Sequence, residues 1–157
     1  MRKRLIDGAS QEVLESDRNW LNVEELVEVE LTSEDAAHPV ESALLPTGSP
    51  GWRAAVPGSQ TIRLLFANPQ SIRRIYLSFQ EPAVERTQEY VLRWSSDRGQ
   101  SFQEIVRQQW NFSPSGAMSE TESYEVELAD VTILELNINP DIGNSKAVAS
   151  LEQWRIA

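Results

Sequence analysis

Apolar and polar residues alternate along several short stretches of the sequence. In Val27–Leu31 the apolar side chains fall on one face and two glutamates fall on the other. The same period of two recurs in Ile75–Phe79 and in Tyr124–Leu128. Successive side chains of a β-strand point to opposite faces, so this pattern predicts strands with one buried face and one face in water.

Eight stretches of this kind predict an all-β fold. Clusters of Gly, Pro, Asn, Asp and Ser separate them, and prolines mark strand ends because proline cannot donate to a β-ladder. The predicted strands are Val27–Thr32, Thr61–Phe66, Ile72–Gln80, Tyr90–Ser95, Gln103–Gln109, Tyr124–Leu128, Ile133–Ile138 and Leu151–Ile156. This spacing is typical of an eight-stranded antiparallel jelly-roll β-sandwich, which is the fold class we expect.

The N-terminal part of the chain has a different character. Residues 7–17 are polar and without periodicity, so we expect residues 1–17 to be a disordered lead-in and residues 18–157 to form a single domain. Helical spacing occurs only near Asp17, which we expect to cap a short helical turn before Val23. The basic first residues precede no long apolar run, and we therefore expect a cytoplasmic protein.

Charge is distributed unevenly along the chain. The 157 residues carry a formal net charge of −10. Residues 12–35 account for −8 of it, because nine acidic residues there face Arg18 alone. Residues 36–110 carry eight arginines against six acidic residues, a net of +2. An acidic chain is a poor partner for nucleic acids and anionic membranes, so we expect neither, although a local arginine face suits an anionic partner.

The composition excludes several kinds of active site. The sequence has no Cys and one histidine, His38, which rules out disulfides, cysteine nucleophiles and zinc sites built from several histidines. It has no Gly-x-Ser-x-Gly elbow and no glycine-rich phosphate loop. We expect a protein that is not an enzyme and needs no cofactor. The one candidate metal is a structural calcium ion, in the loop Glu41–Ser49 or near Asp141, where acidic residues are not closely spaced.

An aromatic pair at the end of a predicted strand is the first candidate for ligand binding. Trp110 and Phe112 flank Asn111, and a sugar can stack on an exposed ring while its hydroxyls bond to nearby amides. Arg86 and Arg107 are candidate polar partners for the same ligand. The alternative is that the rings plug one end of the sandwich.

Arginines at strand positions are the second candidate. They are Arg63, Arg74, Arg86, Arg93 and Arg107. If several lie on one sheet face, they suit carboxylates, acidic peptides or sulfated and uronic sugars. The alternative is that they pair across the sheet with Glu125, Glu127 and Glu135.

A Ser-x-Asp-x-Gly-x-Ser-aromatic pattern occupies Ser95–Phe102 and resembles the Asp-box hairpin. In such a turn we expect Asp97 to bond to backbone amides and Gly99 to take a positive φ, with Phe102 packed underneath. The pattern therefore predicts a structural turn.

A series of short elements across residues 27–157 resembles a known family. The elements are Val29–Glu34, Val40–Leu44, Gly51–Ala55, Gln60–Phe66, the hairpin Arg93–Phe102 and the terminal Trp154–Ile156. Together they resemble the discoidin, or coagulation factor 5/8 type C, domain. The resemblance implies a galactose-binding-like β-sandwich whose loops at one end bind glycans, lipid headgroups or proteins, often beside a structural calcium.

The sequence departs from that family in two places. Leu45–Gly51 replaces the usual acidic calcium loop, and there is no disulfide because there is no Cys. We expect a non-catalytic recognition module that binds carbohydrate through the loops at one end. The alternative is an intracellular protein–protein interaction domain that uses the arginine-bearing face and the acidic segment 12–35.

Overall fold

Antiparallel strands make up most of the structure. The computed structural model describes residues 20–46 and 50–157. In chain order the elements are α1 (Val23–Leu26), β1 (Val27–Leu31), α2 (Glu41–Leu44), β2 (Trp52–Arg53), β3 (Gln60–Gln80), β4 (Arg86–Ser95), β5 (Gln103–Phe112), β6 (Ser119–Asn139), β7 (Ser150–Leu151) and β8 (Gln153–Ile156). All pairs between these strands are antiparallel.

Strands β3 and β6 each take part in two layers. The first half of β3 pairs with β1 and with the end of β6, and the order continues through β4 to β5. The second half of β3 pairs with the start of β6 and with β8. Register shifts between Leu65 and Arg74 separate the two halves, and such bulges bend a strand from one layer into the next. The result is a five-stranded layer and a three-stranded layer.

The two layers pack face to face around an apolar core. Phe79 of the three-stranded layer stacks on Tyr90 of the five-stranded layer with ring centroids 5.1 Å apart. The Oη atom of Tyr90 also lies 2.5 Å from the Oη atom of Tyr124 on β6. The buried residues of β3 alternate along the strand: Ile62, Leu64, Phe66, Ile75, Leu77 and Phe79. The predicted antiparallel β-sandwich is confirmed, whereas its jelly-roll connectivity stays a prediction.

The predicted strands are present, but two of the predicted breaks between strands are wrong, because the strands on either side are continuous. Thr61–Phe66 and Ile72–Gln80 are parts of β3, and Tyr124–Leu128 and Ile133–Ile138 are parts of β6. Pro69 on β3 and Asp130 on β6, which has a positive φ of 57°, lie where the strands bend between layers. A bulge interrupts the alternation of side chains without ending the strand. The sequence pattern shows this interruption but not the continuity of the strand, so one strand was predicted as two.

The remaining boundaries differ in smaller ways. β4 begins four residues before the predicted Tyr90, β5 continues to Phe112, and Glu152 divides the last predicted strand into β7 and β8. The two-residue strand β2 and the helix α2 were not predicted.

The helical turn predicted near the N-terminus is α1, where Val23 is the buried residue. Just before it, the amide of Leu21 donates to the carbonyl oxygen of Ile156 at 2.8 Å and fixes this segment against β8. The predicted cap Asp17 and the predicted lead-in 1–17 lie outside the described residues. No helix among the described residues is long and apolar enough to cross a membrane.

Candidate functional site

Four connections meet at one end of the sandwich, which we call the loop end. They are residues 33–59, as far as described, 81–85, 113–118 and 140–149. Backbone hydrogen bonds join them: Glu81 to Met118 at 2.7 Å, Ile142 to Thr87 at 2.8 Å and Ala54 to Ala149 at 2.9 Å, amide to carbonyl in each case. These bonds bring side chains from distant parts of the sequence together.

A cavity of about 100 Å³ opens at the loop end. The residues that line it include His38, Arg53, Glu81 and Glu152, together with Trp52, which is 1% exposed. We call this space the loop-end cavity. Its lining residues include hydrogen-bond donors and acceptors of the kind that fix a small polar ligand.

Gly51 sets the position of one wall of the loop-end cavity. A Cβ atom at Gly51 would lie 2.1 Å from the carbonyl oxygen of Leu151, so a larger residue would push the loop away from β7. The indole Nε1 of Trp52 donates to the carbonyl oxygen of Ser33 at 3.1 Å, which fixes the ring.

Backbone hydrogen bonds fix the positions of His38 and Arg53 at the loop-end cavity. Asp35 donates its amide to the carbonyl oxygen of Arg53, and Arg53 donates to that of His38. The Nδ1 atom of His38 lies 3.1 Å from the Oδ2 atom of Asp35, and the side chain of His38 is 35% exposed. Hydrogen bonds from the amide of Ala37 and from His38 hold the pKa of Asp35 below its usual value. Arg53 is exposed and forms no ion pair with the described residues.

A buried ion pair lies beneath the loop-end cavity. The Nε atom of Arg86 donates to Glu81 at 2.9 Å, its Nη1 atom donates to the carbonyl oxygen of Pro140 at 2.8 Å, and its guanidinium lies 4.8 Å from the ring centroid of Phe112. The Arg86 side chain is 0% exposed and Phe112 is 1% exposed. Contact with a ligand was predicted for both residues. Both are buried in this structure, and their role in ligand binding stays a prediction.

The same buried network continues to a second carboxyl group. Arg86 donates to the side-chain oxygen of Gln88, whose amide nitrogen lies 3.4 Å from the Oε1 atom of Glu120. Glu120 is 2% exposed, and its Oε2 atom has no hydrogen-bond partner. Burial, reinforced by repulsion from Glu122, raises the pKa of Glu120 to about 7.

Trp110 and Asn111 occupy the edge strand β5 and point to opposite faces, as neighbours on a strand must. Trp110 is half-buried against the core, and Asn111 is exposed with its Oδ1 atom 2.7 Å from the hydroxyl of Thr87. Both line a shallow depression of about 470 Å³ together with Ala117. Their role in ligand binding stays a prediction.

The arginines on the outer face of the five-stranded layer are neutralised by glutamates. The ion pairs are Arg63–Glu135 (2.7 Å), Arg93–Glu135 (2.7 Å), Arg63–Glu30 (3.7 Å), Arg107–Glu89 (3.0 Å) and Arg107–Glu104 (2.9 Å). The pairing predicted for Glu135 is confirmed, whereas Glu125 and Glu127 form no ion pair within the described residues. Because Arg107 already contacts two carboxylates, a ligand would have to compete with them.

The turn predicted at Ser95–Phe102 is confirmed. Asp97 accepts hydrogen bonds from the amide of Ser101 at 2.9 Å and from the hydroxyl of Ser95 at 2.6 Å, and Gly99 has a φ of 89°. The hydroxyl of Ser101 is the largest cause that lowers the pKa of Asp97, to about 2.

Neither proposed calcium stretch gathers acidic side chains in the described part of the chain. Glu41 begins the helix α2, and the Oδ1 atom of Asp141 accepts hydrogen bonds from the amides of Gly143 and Thr87. Within residues 20–46 and 50–157, no three His, Asp or Glu side chains are close enough to hold a metal ion. Residues 47–49 of the first stretch lie outside the described residues.

Solved structures with the same architecture provide the comparison, since no protein-family model and no curated protein matches the sequence. A pectin-binding carbohydrate-binding module is 18% identical, with a TM-score of 0.57 over 83% of this chain and 89% of that module. The CBM32 of AlyQ, in complex with 4,5-unsaturated mannuronic acid, is 17% identical, with a TM-score of 0.55 over 84% and 95%. XRCC1 bound to the DNA polymerase β catalytic domain is 15% identical, with a TM-score of 0.59 over 84% and 96%.

The chain shares the antiparallel β-sandwich fold of these structures. The β-sandwich implied by the sequence resemblance is therefore confirmed. Sequence reasoning did not select His38 and Arg53 as candidate site residues of this sandwich. The available signal was the Gly51-Trp52-Arg53 run, in which a tight glycine contact precedes a buried ring and an exposed cation.

Proposed function

We propose that the protein is a non-catalytic carbohydrate-binding module whose ligand contacts the loop end. The loop-end cavity carries this proposal, because it brings the potential donors His38 and Arg53 and the potential acceptor Glu152 together at the loop end. His38 and Arg53 can donate to sugar hydroxyls, and Glu152 can accept from them. The shared fold supports the proposal, since similar structures include a pectin-binding module and a module in complex with 4,5-unsaturated mannuronic acid.

Trp110 extends the proposed surface on the β5 side of the loop end. Its ring is half-buried, which leaves part of the ring for a CH face of a sugar. A glycan that spans both features would contact the loop-end cavity with one residue and Trp110 with another.

A glycan array followed by isothermal titration calorimetry tests the proposal. We expect wild type to bind at least one glycan and Arg53→Ala to weaken that binding about tenfold or more, because a charge-assisted hydrogen bond is lost. Trp110→Ala is expected to weaken it as well if the glycan reaches β5. Arg73→Ala is the matched control, because Arg73 is an exposed arginine outside the loop-end cavity. The proposal fails if no glycan binds, or if Arg53→Ala and Arg73→Ala have equal effects.

Protein recognition is the second candidate function, and the likeness to XRCC1 bound to a polymerase domain supports it. The surface would be the row of alternating charges Glu30, Arg63, Glu135 and Arg93 on the five-stranded layer. We expect partners enriched by the full chain in a pull-down to be lost with Arg63→Glu and kept with Arg73→Glu. Identical partner lists for the two variants would argue against this surface. The intracellular location that this function requires stays a prediction.

A further inference from the structure

A second and larger cavity lies on the outer face of the three-stranded layer. It has a volume of about 740 Å³ and does not include Arg53 or Trp110. Tyr76 of β3 and Arg155 of β8 contribute to its lining, as do Trp20 before α1 and Leu45 after α2. We call this space the outer-face cavity. It is concave and partly aromatic, with a few polar groups, which are the properties of a ligand site.

Arg155 is a half-buried cation that forms no ion pair with residues 20–46 and 50–157. Its Nη1 atom donates to the carbonyl oxygen of Ala43 at 2.6 Å, and its Nη2 atom donates to that of Leu45 at 3.3 Å. No carboxylate of the described residues lies within 4 Å of it. Burial lowers the pKa of Arg155. An anion at this guanidinium would form a charge-assisted hydrogen bond, which is stronger than a bond between neutral groups.

Arg74 adds a second unbalanced positive charge beside the outer-face cavity. It lies two residues before Tyr76 on the same face of β3, and its guanidinium is 4.4 Å from the ring centroid of Trp20. Its Nε atom is buried without a hydrogen-bond partner. It lies near Glu125 in the β3–β6 register but forms no ion pair with it or with any other described carboxylate. The arginines Arg63, Arg86, Arg93 and Arg107, by contrast, are all ion-paired.

Two aromatic rings give the outer-face cavity a surface for stacking. The rings of Trp20 and Tyr76 are half-exposed, with centroids 6.1 Å apart and planes inclined by 40°. Rings of this kind can contact the CH face of a sugar. Glu24 and Glu152 also line the cavity and would repel an anion, so an acidic group must bind close to Arg155. Their oxygens can accept hydrogen bonds from sugar hydroxyls.

We propose that the outer-face cavity binds a uronic acid residue of a polysaccharide, with the sugar ring against Trp20 and Tyr76 and the carboxylate on Arg155. Arg74 is a positioning residue in this arrangement, because it holds the Trp20 ring and adds positive potential. The planar carboxylate matches the fork of donors on a guanidinium better than a neutral group does. The inference rests on the proposed carbohydrate function for its ligand class but uses a different site.

A matched pair of ligands tests the charge requirement without any mutation. The probes are a hexamer of galacturonic acid and its fully methyl-esterified form, titrated into the full chain by calorimetry. We expect the acid form to bind about tenfold or more tightly than the ester, because only the acid can form a charge-assisted hydrogen bond with a guanidinium. A sulfated hexasaccharide is the third probe. Tighter binding of the sulfated probe, equal binding of acid and ester, or no binding of the acid would each overturn the proposal.

Variants locate the binding in the outer-face cavity. We expect Arg155→Gln to reduce affinity for the acid hexamer about tenfold or more, and Arg74→Gln to reduce it about threefold. Arg73→Gln is the matched control, because it removes a neighbouring exposed arginine outside the cavity. Thermal unfolding of each variant shows whether Arg155→Gln still folds. If Arg155→Gln does not fold, the affinity of Arg74→Gln for the acid hexamer tests the proposal. Equal affinities for Arg74→Gln and Arg73→Gln would overturn the proposal.

The loop-end variants separate this inference from the proposed function. If Arg53→Ala abolishes glycan binding while Arg74→Gln and Arg155→Gln leave it unchanged, the proposed function stands and the outer-face site is wrong. If no glycan of any charge binds wild type, both proposals are wrong.

Discussion

Arg86 is buried and Arg155 is half-buried, and their charges are balanced differently. Arg86 contacts the carboxylate of Glu81 at 2.9 Å and a carbonyl oxygen at 2.8 Å, so its charge is compensated within the fold. Arg155 has only carbonyl oxygens as described partners, from Ala43, Leu45 and Trp154. A buried ion pair that is already complete has little to offer a ligand, whereas a partly buried cation without an anion gains from one. The contrast favours a structural role for Arg86 and supports the binding role that we propose for Arg155.

The raised pKa of Glu120 predicts how the stability of the protein depends on pH. Its folded pKa of about 7 lies above the ordinary value of 4.5, so folding favours the protonated form. Stability from this group is therefore greatest below pH 4.5, falls as the pH rises towards 7, and stays low above 7. Glu120→Gln keeps an acceptor for Gln88 and removes the titration. We expect it to leave the free energy of unfolding unchanged at pH 4 and to raise it by roughly 1 to 3 kcal/mol at pH 8.5.

Urea unfolding at the two pH values measures this difference. Glu125→Gln is the matched control, because Glu125 is exposed on the opposite face of the same strand β6. Other carboxylates titrate in all three proteins, so their contributions cancel in the comparison. If Glu120→Gln changed the free energy of unfolding equally at pH 4 and pH 8.5, the raised pKa of Glu120 would be contradicted.

At the scale of elements, the alternation of side chains predicted which face of each strand is buried. The first half of β3 follows the expected pattern, with Ile62, Leu64 and Phe66 inward. The pattern could not show that β3 and β6 are each one continuous strand. A bulge at Pro69 and a positive φ at Asp130 change which side chains face inward, but they do not end the backbone ladder. In the sequence, such a change looks the same as a turn between two strands.

The candidate sites were harder to predict than the strands. Trp110 and Phe112 share the inward face of β5, yet Phe112 lies over Arg86 in the core while Trp110 is only half covered. How deeply each ring is buried depends on the opposite layer, which the sequence of β5 does not contain. The outer-face cavity depends even more on tertiary structure, since the register of β3 with β8 places Tyr76 opposite Arg155.

At the scale of the whole molecule, the net charge of −10 and the local charges act over different distances. The charges of the alternating row Glu30, Arg63, Glu135 and Arg93 on the outer face of the five-stranded layer cancel one another. The outer face of the three-stranded layer has Arg74 and Arg155 without ion pairs to the described residues. An acidic glycan would be repelled at long range and held only by short contacts, so attraction at a distance does not drive its binding.

The path of β3 and β6 through both layers predicts how the molecule unfolds. Because each strand contributes to the five-stranded and the three-stranded layer, neither layer can lose its pairing while the other keeps its own. We therefore expect one cooperative urea transition, with far-UV circular dichroism and tryptophan fluorescence giving the same midpoint. Trp154→Phe removes the buried tryptophan of the three-stranded layer and leaves Trp20, Trp52, Trp94 and Trp110 as fluorescence reporters. In that variant, fluorescence and circular dichroism should still coincide; separate midpoints would show that the layers unfold independently and would contradict the single domain predicted for residues 18–157.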